Sequence, residues 1–346
     1  MNLSKEILEQ YVSDGWLISQ THPTLPLTIY NYSQSTQYES HWDEITLSCR
    51  GIVMDDNGNV VARPFRKFFN IEENKHTATG DFEIYEKMDG SLGILFMYRG
   101  EWILSSRGSF TSDQAIKGNE LLRKYDLDLL SPGYTYLFEI IYPENRIVCQ
   151  YDYEDLILLG GIEITDGAEI DVHDEYYTSH FNVVKKYDFK DYNEIKKLNW
   201  ENKEGFVIRF SNGDRCKIKF DDYVKLHRIL TNCSSYDIWE NLMTFGKIPE
   251  EMLKDVPDEF YEWVHKTAES INKKFHFVYS YHMASLSSVM RDGMLTRKDL
   301  AERILSLKDV NHGILFGIAD GKDMSEKVWK MVKPAYEKPF SEKNAE

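Results

Sequence analysis

Glu86-Lys87-Met88-Asp89-Gly90-Ser91 lies between two apolar runs, Phe82 to Tyr85 and Leu92 to Tyr98, that read as strands. Asp-Gly is a turn pair, so the plain reading is a hairpin with a lysine beside its turn. The reading that carries chemistry makes Lys87 a covalent nucleophile. That role makes a physical demand: a lysine amine titrates near about 10.4, so nearby cations or burial must lower it before it can attack.

Outward from this stretch, residues 25–220 are rich in short apolar runs broken by turn residues, which predicts an antiparallel, strand-dominated core. Ile52 to Met54, Trp102 to Leu104, Tyr134 to Ile141, Leu156 to Ile164 and Phe206 to Phe210 are further runs. Asp56-Asn57-Gly58-Asn59 and Ser211-Asn212-Gly213-Asp214 supply turns. Helical stretches at Ser112 to Tyr125 and Tyr192 to Leu198 make the class α+β. Beyond residue 221 helical periodicity takes over. Phe260, Trp263, Val264, Ala268, Ile271 and Phe275 recur at three- and four-residue spacing, and Thr296 with Asp299 resembles a helix start with an acidic capping partner. The expected organisation is a first domain over 1–235 and a helical domain over 236–346, ending in a polar tail from Glu337 to Glu346.

The chain has 346 residues, 42% hydrophobic and 14% aromatic, enough for two cores and unlike a disordered chain. Its formal net charge of -16 argues against general phosphate attraction, so a polynucleotide partner needs a local basic groove. Arg63, Arg66 and Lys67 form one candidate; Arg215, Lys217, Lys219, Lys225 and Arg228 form another. Scattered solvated charge is the competing reading of each. Cys49, Cys149, Cys216 and Cys233 lack zinc-ligand spacing and read as the thiols of a reduced, cytoplasmic chain. Neither a signal peptide nor a membrane-spanning run is expected, and no membrane partner.

Phosphate chemistry at Lys87 calls for cations and for oxygen ligands to a divalent metal. Lys217-Ile218-Lys219 puts two ammonium groups on one face of a strand. Arg50 and Lys67 are a second basic site, and a strand edge guarded by charge is the alternative for both. Glu139 interrupts the apolar run Leu137-Phe138-Glu139-Ile140-Ile141, where an unpaired charge is costly. An outward-facing strand position is its alternative. Glu204 opens Glu204-Gly205-Phe206-Val207-Ile208.

In this order, Lys87-x-Asp89-Gly90, Phe138-Glu139, Glu204-Gly205-Phe206-Val207 and Lys217-Ile218-Lys219 resemble the nucleotidyltransferase motifs shared by DNA ligases, RNA ligases and mRNA capping enzymes. Within that superfamily the chain resembles the family of RNA ligase 1 of T-even phages. The resemblance rests further on Tyr30-Asn31-Tyr32, Cys49-Arg50-Gly51, Lys67-Phe68-Phe69-Asn70, Ser106-Arg107-Gly108-Ser109, Asn145-Arg146-Ile147-Val148 and Asp222-Tyr223-Val224. It covers residues 27–230 and fades beyond, to Leu315-Phe316-Gly317-Ile318.

The resemblance implies an antiparallel-sheet nucleotidyltransferase domain of the ATP-grasp-like ligase kind, followed by an all-helical C-terminal domain. It implies an ATP-dependent RNA ligase in which Lys87 takes AMP from ATP, passes it to an RNA 5'-phosphate, and a 3'-hydroxyl then seals the strand. Tyr30, Arg50, Lys67, Asp89, Gly90, Arg107, Lys217 and Lys219 match positions at the nucleotide. Glu139, Glu204 and Tyr223 match catalytic positions. A metal, magnesium or manganese, falls by the same route to Glu139, Glu204 and, from the family's helical region, Glu250. Two departures stand out: arginine replaces lysine at Arg107, a fork in place of a point charge, and Glu250-Glu251 matches the family's acidic pair only in part.

The implied partners are ATP and RNA with 5'-phosphate and 3'-hydroxyl ends, cleaved tRNA among them, acted on by a monomer in repair. A DNA ligase or capping enzyme would share the lysine motif but follow it with a strand-rich OB domain. A non-catalytic nucleotide-binding or RNA-end-binding protein would keep the fold without turnover.

Overall fold

Side-chain alternation in Tyr134–Ile141 sets the layers. Tyr136, Phe138 and Ile140 are all 0% exposed and pack with Leu121 and Leu122 of an amphipathic helix, Asp113–Leu122. Leu137 and Ile141 join cores on the other face. Burial of each such apolar side chain stabilises the fold by about 1.5–3 kcal/mol. Glu139 shares the parity of Leu137 and Ile141, so it too faces inward.

The computed structural model describes residues 3–73, 80–253, 256, 258–291 and 296–339. The chain divides into two compact units, Met1–Lys225 and Leu226–Glu346. The expected domain limit, at residue 235, lies ten residues beyond that division. The strands of the first unit are β1 (Leu17–Thr21), β2 (Leu27–Tyr32), β3 (Arg50–Asp55), β4 (Val60–Ala62), β5 (Phe69–Asn70), β6 (Phe82–Lys87), β7 (Ser91–Tyr98), β8 (Glu101–Ser106), β9 (Tyr134–Ile141), β10 (Asp155–Glu163), β11 (Glu169–Ile170), β12 (Lys186–Tyr187), β13 (Gly205–Phe210) and β14 (Arg215–Lys219). Its helices are α1 (Lys5–Ser13), α2 (Gln34–Tyr38), α3 (Glu44–Ser48), α4 (Asp113–Leu122), α5 (Glu175–Thr178) and α6 (Tyr192–Ile195), and α7 (Asp221–Asn232) runs through the division.

The strands form three sheets, ordered β1-β2-β3-β4, β11-β10-β9-β7-β8 and β12-β6-β13-β14-β5. The first two face each other through Leu27, Ile29, Val53, Ile94, Phe96 and Leu137. Helix α1 covers the outer face of the first sheet through Leu8, Tyr11 and Val12, and α4 covers the second. Among the described residues, pairing between these strands is antiparallel except for β5 beside β14, and strand structure begins at Leu17, earlier than the apolar runs indicated.

The hairpin expected at Asp89-Gly90 is absent. Strand β6 pairs with β12 and β13, and β7 with β8 and β9, so Met88-Asp89-Gly90 carries the chain from one sheet to another. Asp-Gly supplies the bend, but the flanking strands find other partners because their apolar faces serve different cores. The helix expected over Tyr192 to Leu198 is regular only to Ile195.

In the second unit the described residues form α8 (Ser235–Phe245), α9 (Glu250–Leu253), α10 (Asp258–Val289), α11 (Arg297–Ser306), α12 (His312–Ala319) and α13 (Ser325–Met331), without a strand. The expected stripe on α10 is its buried face, with Phe260, Trp263, Val264, Ala268 and Ile271 all below 9% exposure. Phe275 stacks on Trp329 with ring centroids 4.2 Å apart. Thr296 caps α11 in a capping box with Asp299. Of the polar tail, residues 340–346 lie outside the described residues. Among the described residues no helix is long and apolar enough to cross a membrane.

Candidate active site

Strands β6, β13 and β14 make the floor of a cleft in the first unit. Register aligns Lys87, Gly205 and Lys219 in one row; Tyr85, Val207 and Lys217 in the next; Glu83, Arg209 and Arg215 in the third. Period-two alternation turns all nine to one side. Lys87, Tyr85, Val207 and Arg209 line a cavity of about 320 Å³, with Glu139 and Arg50 on its walls.

At the first row, Glu204 holds two lysines. Its Oε2 lies 2.8 Å from Lys87 Nζ and its Oε1 2.8 Å from Lys219 Nζ. Burial opposes the charge on Glu204, which is 3% exposed, but Lys87 and Lys219 outweigh burial and keep its carboxyl below the ordinary value. Gly205 makes this possible: at φ +149° a Cβ there would stand 2.0 Å from the Ile218 carbonyl oxygen, so only glycine lets the start of β13 sit between Lys87 and Lys219.

Glu139 is differently placed. Burial pushes its carboxyl up to about 7, with Glu204 adding to the effect, while Lys87, the Gly90 N–H and Arg50 oppose it. The Gly90 N–H donates to Glu139 Oε1 at 3.0 Å. The outward-facing alternative for Glu139 is therefore excluded. A Cβ on Gly90 would stand 2.7 Å from the Ile140 carbonyl oxygen, so this contact depends on glycine.

The lowered amine pKa demanded of Lys87 is not met in this state. Burial acts in that direction, yet Glu204, Glu139 and Asp89 together outweigh it and hold the amine above its ordinary value. Lys217 is the lysine that burial, with Lys67, Lys87, Lys219 and Arg50, brings down to about 7.

Arg50, Lys67 and Arg107 gather around Tyr32. Arg107 donates to the Tyr32 hydroxyl at 3.0 Å, and Lys67 Nζ lies 5.2 Å from the centroid of the same ring. Among the described residues, none of these three cations nor Lys217 has a carboxylate within ion-pair distance. A strand edge guarded by charge does not describe Lys217 and Lys219, which lie between β13 and β5 in register with cavity-lining residues, nor Arg50, which lines the cavity.

Asp89, expected at the nucleotide, is 3% exposed and its carboxylate is filled from within. Oδ2 accepts from the backbone N–H groups of Val148 and Cys149 at 2.8 and 2.7 Å, and Oδ1 from the Tyr223 hydroxyl at 2.6 Å. Tyr223, expected to be catalytic, is buried and engaged there. Tyr30 is 1% exposed in the core beneath α1; Tyr32, two residues on, stands among the cations. Glu250 belongs to the second unit, where it is an exposed residue of α9.

Among the described residues no three acidic, histidine or cysteine side chains cluster as a metal cage. Glu204 has both oxygens on lysines. Glu139, with one oxygen on Gly90 and its ionisation near neutrality, fits a cation that takes its remaining ligands from phosphate and water, as magnesium commonly does.

A model of the T4-type RNA ligase family, described as RNA ligase, matches residues 48–224. The chain belongs to the T4-type RNA ligase family. The matched span contains every candidate of the first unit except Tyr30 and Lys225. Family resemblance extends to a protein of Autographa californica nuclear polyhedrosis virus named as a bifunctional polynucleotide kinase/RNA ligase, 27% identical over 243 residues, which are 58% of this chain and 33% of that protein. The RNA ligase of Rhodothermus phage RM378 is 26% identical over 161 residues, 33% of this chain and 36% of the phage protein. The match thus spans about a third of the length of these curated relatives. Among solved structures an archaeal ATP-dependent RNA ligase covers 92% of this chain and 96% of its own, at 12% identity and a TM-score of 0.49.

The sequence reading of this RNA ligase-family chain named Arg215 of the third floor row but missed Glu83 and Arg209; Arg209 bridges Glu83 at 3.1 Å and Glu169 at 2.7 Å, and Arg215 reaches Glu169 at 2.6 Å. Counting by twos from Lys87 reaches Tyr85 and Glu83, and from Lys217 reaches Arg215. Nor did that reading single out Trp42, whose ring packs against Tyr32 at 5.1 Å and lies 5.2 Å from the Lys67 Nζ.

Proposed function

We propose that this chain is an ATP-dependent RNA ligase whose first unit carries out self-adenylylation and whose helical unit serves the RNA. The observation that carries the reading is Lys87 lining a cavity of about 320 Å³, paired with Glu204, which also holds Lys219, and accompanied by Arg50, Lys67, Arg107 and Lys217, which among the described residues have no carboxylate within ion-pair distance. Family membership supports it, and a second unit with helices in place of an OB barrel favours it over a DNA ligase or capping enzyme.

Lys87 Nζ, once its ammonium has given up a proton, attacks the α-phosphorus of ATP. The bond to pyrophosphate breaks and a phosphoramidate forms. Glu139 and Lys217, both titrating near neutrality, are the groups of this site able to take up a proton there. An oxygen of an RNA 5'-phosphate next displaces Lys87 from the AMP phosphorus, and the amine recovers its proton. A 3'-hydroxyl then attacks the activated 5'-phosphorus, AMP departs and a phosphodiester remains. The cations around Tyr32 neutralise charge on the outer phosphates during the in-line displacement. Magnesium or manganese, when bound, would be held from the protein side by Glu139 and would supply further neutralisation. Asp89 and Tyr223 act as positioning residues for Lys87, Gly90 narrows the approach to Glu139, and Glu250 carries no role at this site. The RNA is a broken strand under repair, tRNA included, joined by a cytoplasmic monomer.

Incubation with α-labelled ATP and magnesium or manganese tests the reading: the wild type takes up label and Lys87→Ala does not. Absence of label in both, across metals and pH, favours a nucleotide-binding protein without turnover. A panel of 5'-phosphorylated RNA, DNA and nicked duplexes then reads the substrate, with joined single-stranded RNA expected.

A further inference from the structure

The site's cations fall into two groups by what holds them. Lys87 and Lys219 are held by a carboxylate, Glu204. Lys67 is held by ring faces: its Nζ lies 5.2 Å from the centroids of Tyr32, Trp42 and Phe69 alike. The rings support one another edge to face, Trp42 against Tyr32 at 5.1 Å and against Phe69 at 5.2 Å. Trp42 is presented by the turn into α3, where the neighbouring Asp43 caps the helix by accepting from the N–H groups of Ile45 and Thr46 at 2.9 and 2.8 Å. Asp43 also accepts from the Tyr11 hydroxyl at 2.7 Å, so this carboxylate is directed away from Lys67.

We infer that Trp42, completing a three-ring cage with Tyr32 and Phe69, is a positioning residue that holds the Lys67 ammonium in place without neutralising it, for the outer phosphates of a nucleoside triphosphate. The inference rests on reading the cleft as an ATP site. A carboxylate partner would fix the lysine equally well but would compete with phosphate for it. A ring quadrupole attracts the cation, yet leaves its formal charge whole. Burial, with Arg50 and Arg107 close by, holds the Lys67 amine below its ordinary value, and only Tyr32 opposes this. An arriving polyphosphate offsets the repulsion that Arg50 and Arg107 exert on this ammonium. Arg50 lines the cavity together with Lys87 and shares Tyr32 with Lys67 and Arg107, so with the α-phosphate at Lys87 this basic cluster is the place for the β- and γ-phosphates.

The test compares Trp42→Leu, Trp42→Phe and Lys67→Met in self-adenylylation, together with binding of ATP and of AMP. Trp42→Leu should raise KM for ATP on the order of tenfold with kcat changed far less, the ratio that about 1.4 kcal/mol of lost cation–π attraction carries. Trp42→Phe, which keeps a ring face, should recover most of the loss. AMP, which lacks the outer phosphates, should bind both variants as it binds the wild type. In the Lys67→Met background, Trp42→Leu should add little, as expected of two residues acting through one contact. Equal loss of AMP and ATP binding would mean that Trp42 only supports the fold, and an undiminished effect of Trp42→Leu without Lys67 would mean that it acts elsewhere; either overturns the inference. An unchanged KM in Trp42→Leu overturns it too while leaving the ligase reading intact, whereas a wild type that takes up no label defeats that reading first.

Discussion

Lys87 and Glu204 form an ion pair of 2.8 Å in which the carboxylate side chain is only 4% exposed, and the same carboxylate holds Lys219. Removing its charge leaves two ammonium groups facing each other in a poorly solvated site. Glu204→Gln should therefore cost on the order of 2–3 kcal/mol, less than a wholly buried pair because both lysines keep some solvent. Glu204 has its carboxyl depressed from 4.5. Its contribution is thus complete above that value and is lost as pH falls through the folded-state value. Urea midpoints of wild type and variant should differ clearly at pH ~7 and converge on acidification; parallel curves at all pH values would contradict the pairing.

Glu139 has the opposite sign. Its carboxyl is raised from 4.5 to about 7, so the fold favours the protonated form and loses stability as pH climbs through that window. Glu139→Gln keeps the uncharged shape. The ligand-free variant should melt a few degrees above wild type at pH ~8, as about 1 kcal/mol does for a chain of this size, and should match it near pH ~4.5. Calorimetry at the two pH values decides the matter.

Tyr223 meets Asp89 through its hydroxyl at 2.6 Å and Lys219 through its ring, 4.9 Å from the Lys219 Nζ. Tyr223→Phe should destabilise by about 1.5–3 kcal/mol, the usual contribution of a hydrogen bond to a charged group. It should retain self-adenylylation below its melting temperature. The Asp89→Asn, Tyr223→Phe double variant should lose less than the sum of the single losses. Abolished labelling in a Tyr223→Phe protein of unchanged stability would make the hydroxyl a participant in the reaction.

Gly90→Ala would set a methyl 2.7 Å from the Ile140 carbonyl oxygen and 3.0 Å from Glu139 Cγ. Backbone cannot yield as a side-chain tip does. A loss of about 1–3 kcal/mol, typical of overpacking, should come with a drop in kcat for self-adenylylation as Glu139 is displaced. Wild-type kinetics in this variant would show that Glu139 needs no contact with the Gly90 N–H.

Much of this was legible in the residues because strand parity is a strong signal. Lys217 and Lys219 had to share a face, and Glu139 had to be either outward or functional. The ordered motifs brought Lys87, Glu139, Glu204 and Lys219 to one cleft. What failed was non-local. Asp-Gly announced a bend, but not that its two strands enter different sheets, since pairing partners lie more than a hundred residues away in β13. Tyr30 and Tyr32 lie on one strand face, and sequence alone does not say which of them reaches the cations and which ends under α1. The ionisation of Lys87 depends on non-local neighbours too: the cations that would lower it were visible in the sequence, but not that Glu204, Glu139 and Asp89 gather beside it. Trp42 became meaningful only once folding had brought Lys67 beneath its ring.

The three residues Met88, Asp89 and Gly90 act as the spine of a book whose covers are the sheets of β6 and β7. Asp89 stitches that spine to Val148, Cys149 and Tyr223, and Gly90 pins it to Glu139. A clasp closes the margin opposite the spine as well, because Glu169 of β11 holds Arg209 and Arg215 of the facing cover at 2.7 and 2.6 Å, so the two covers are fastened at both margins.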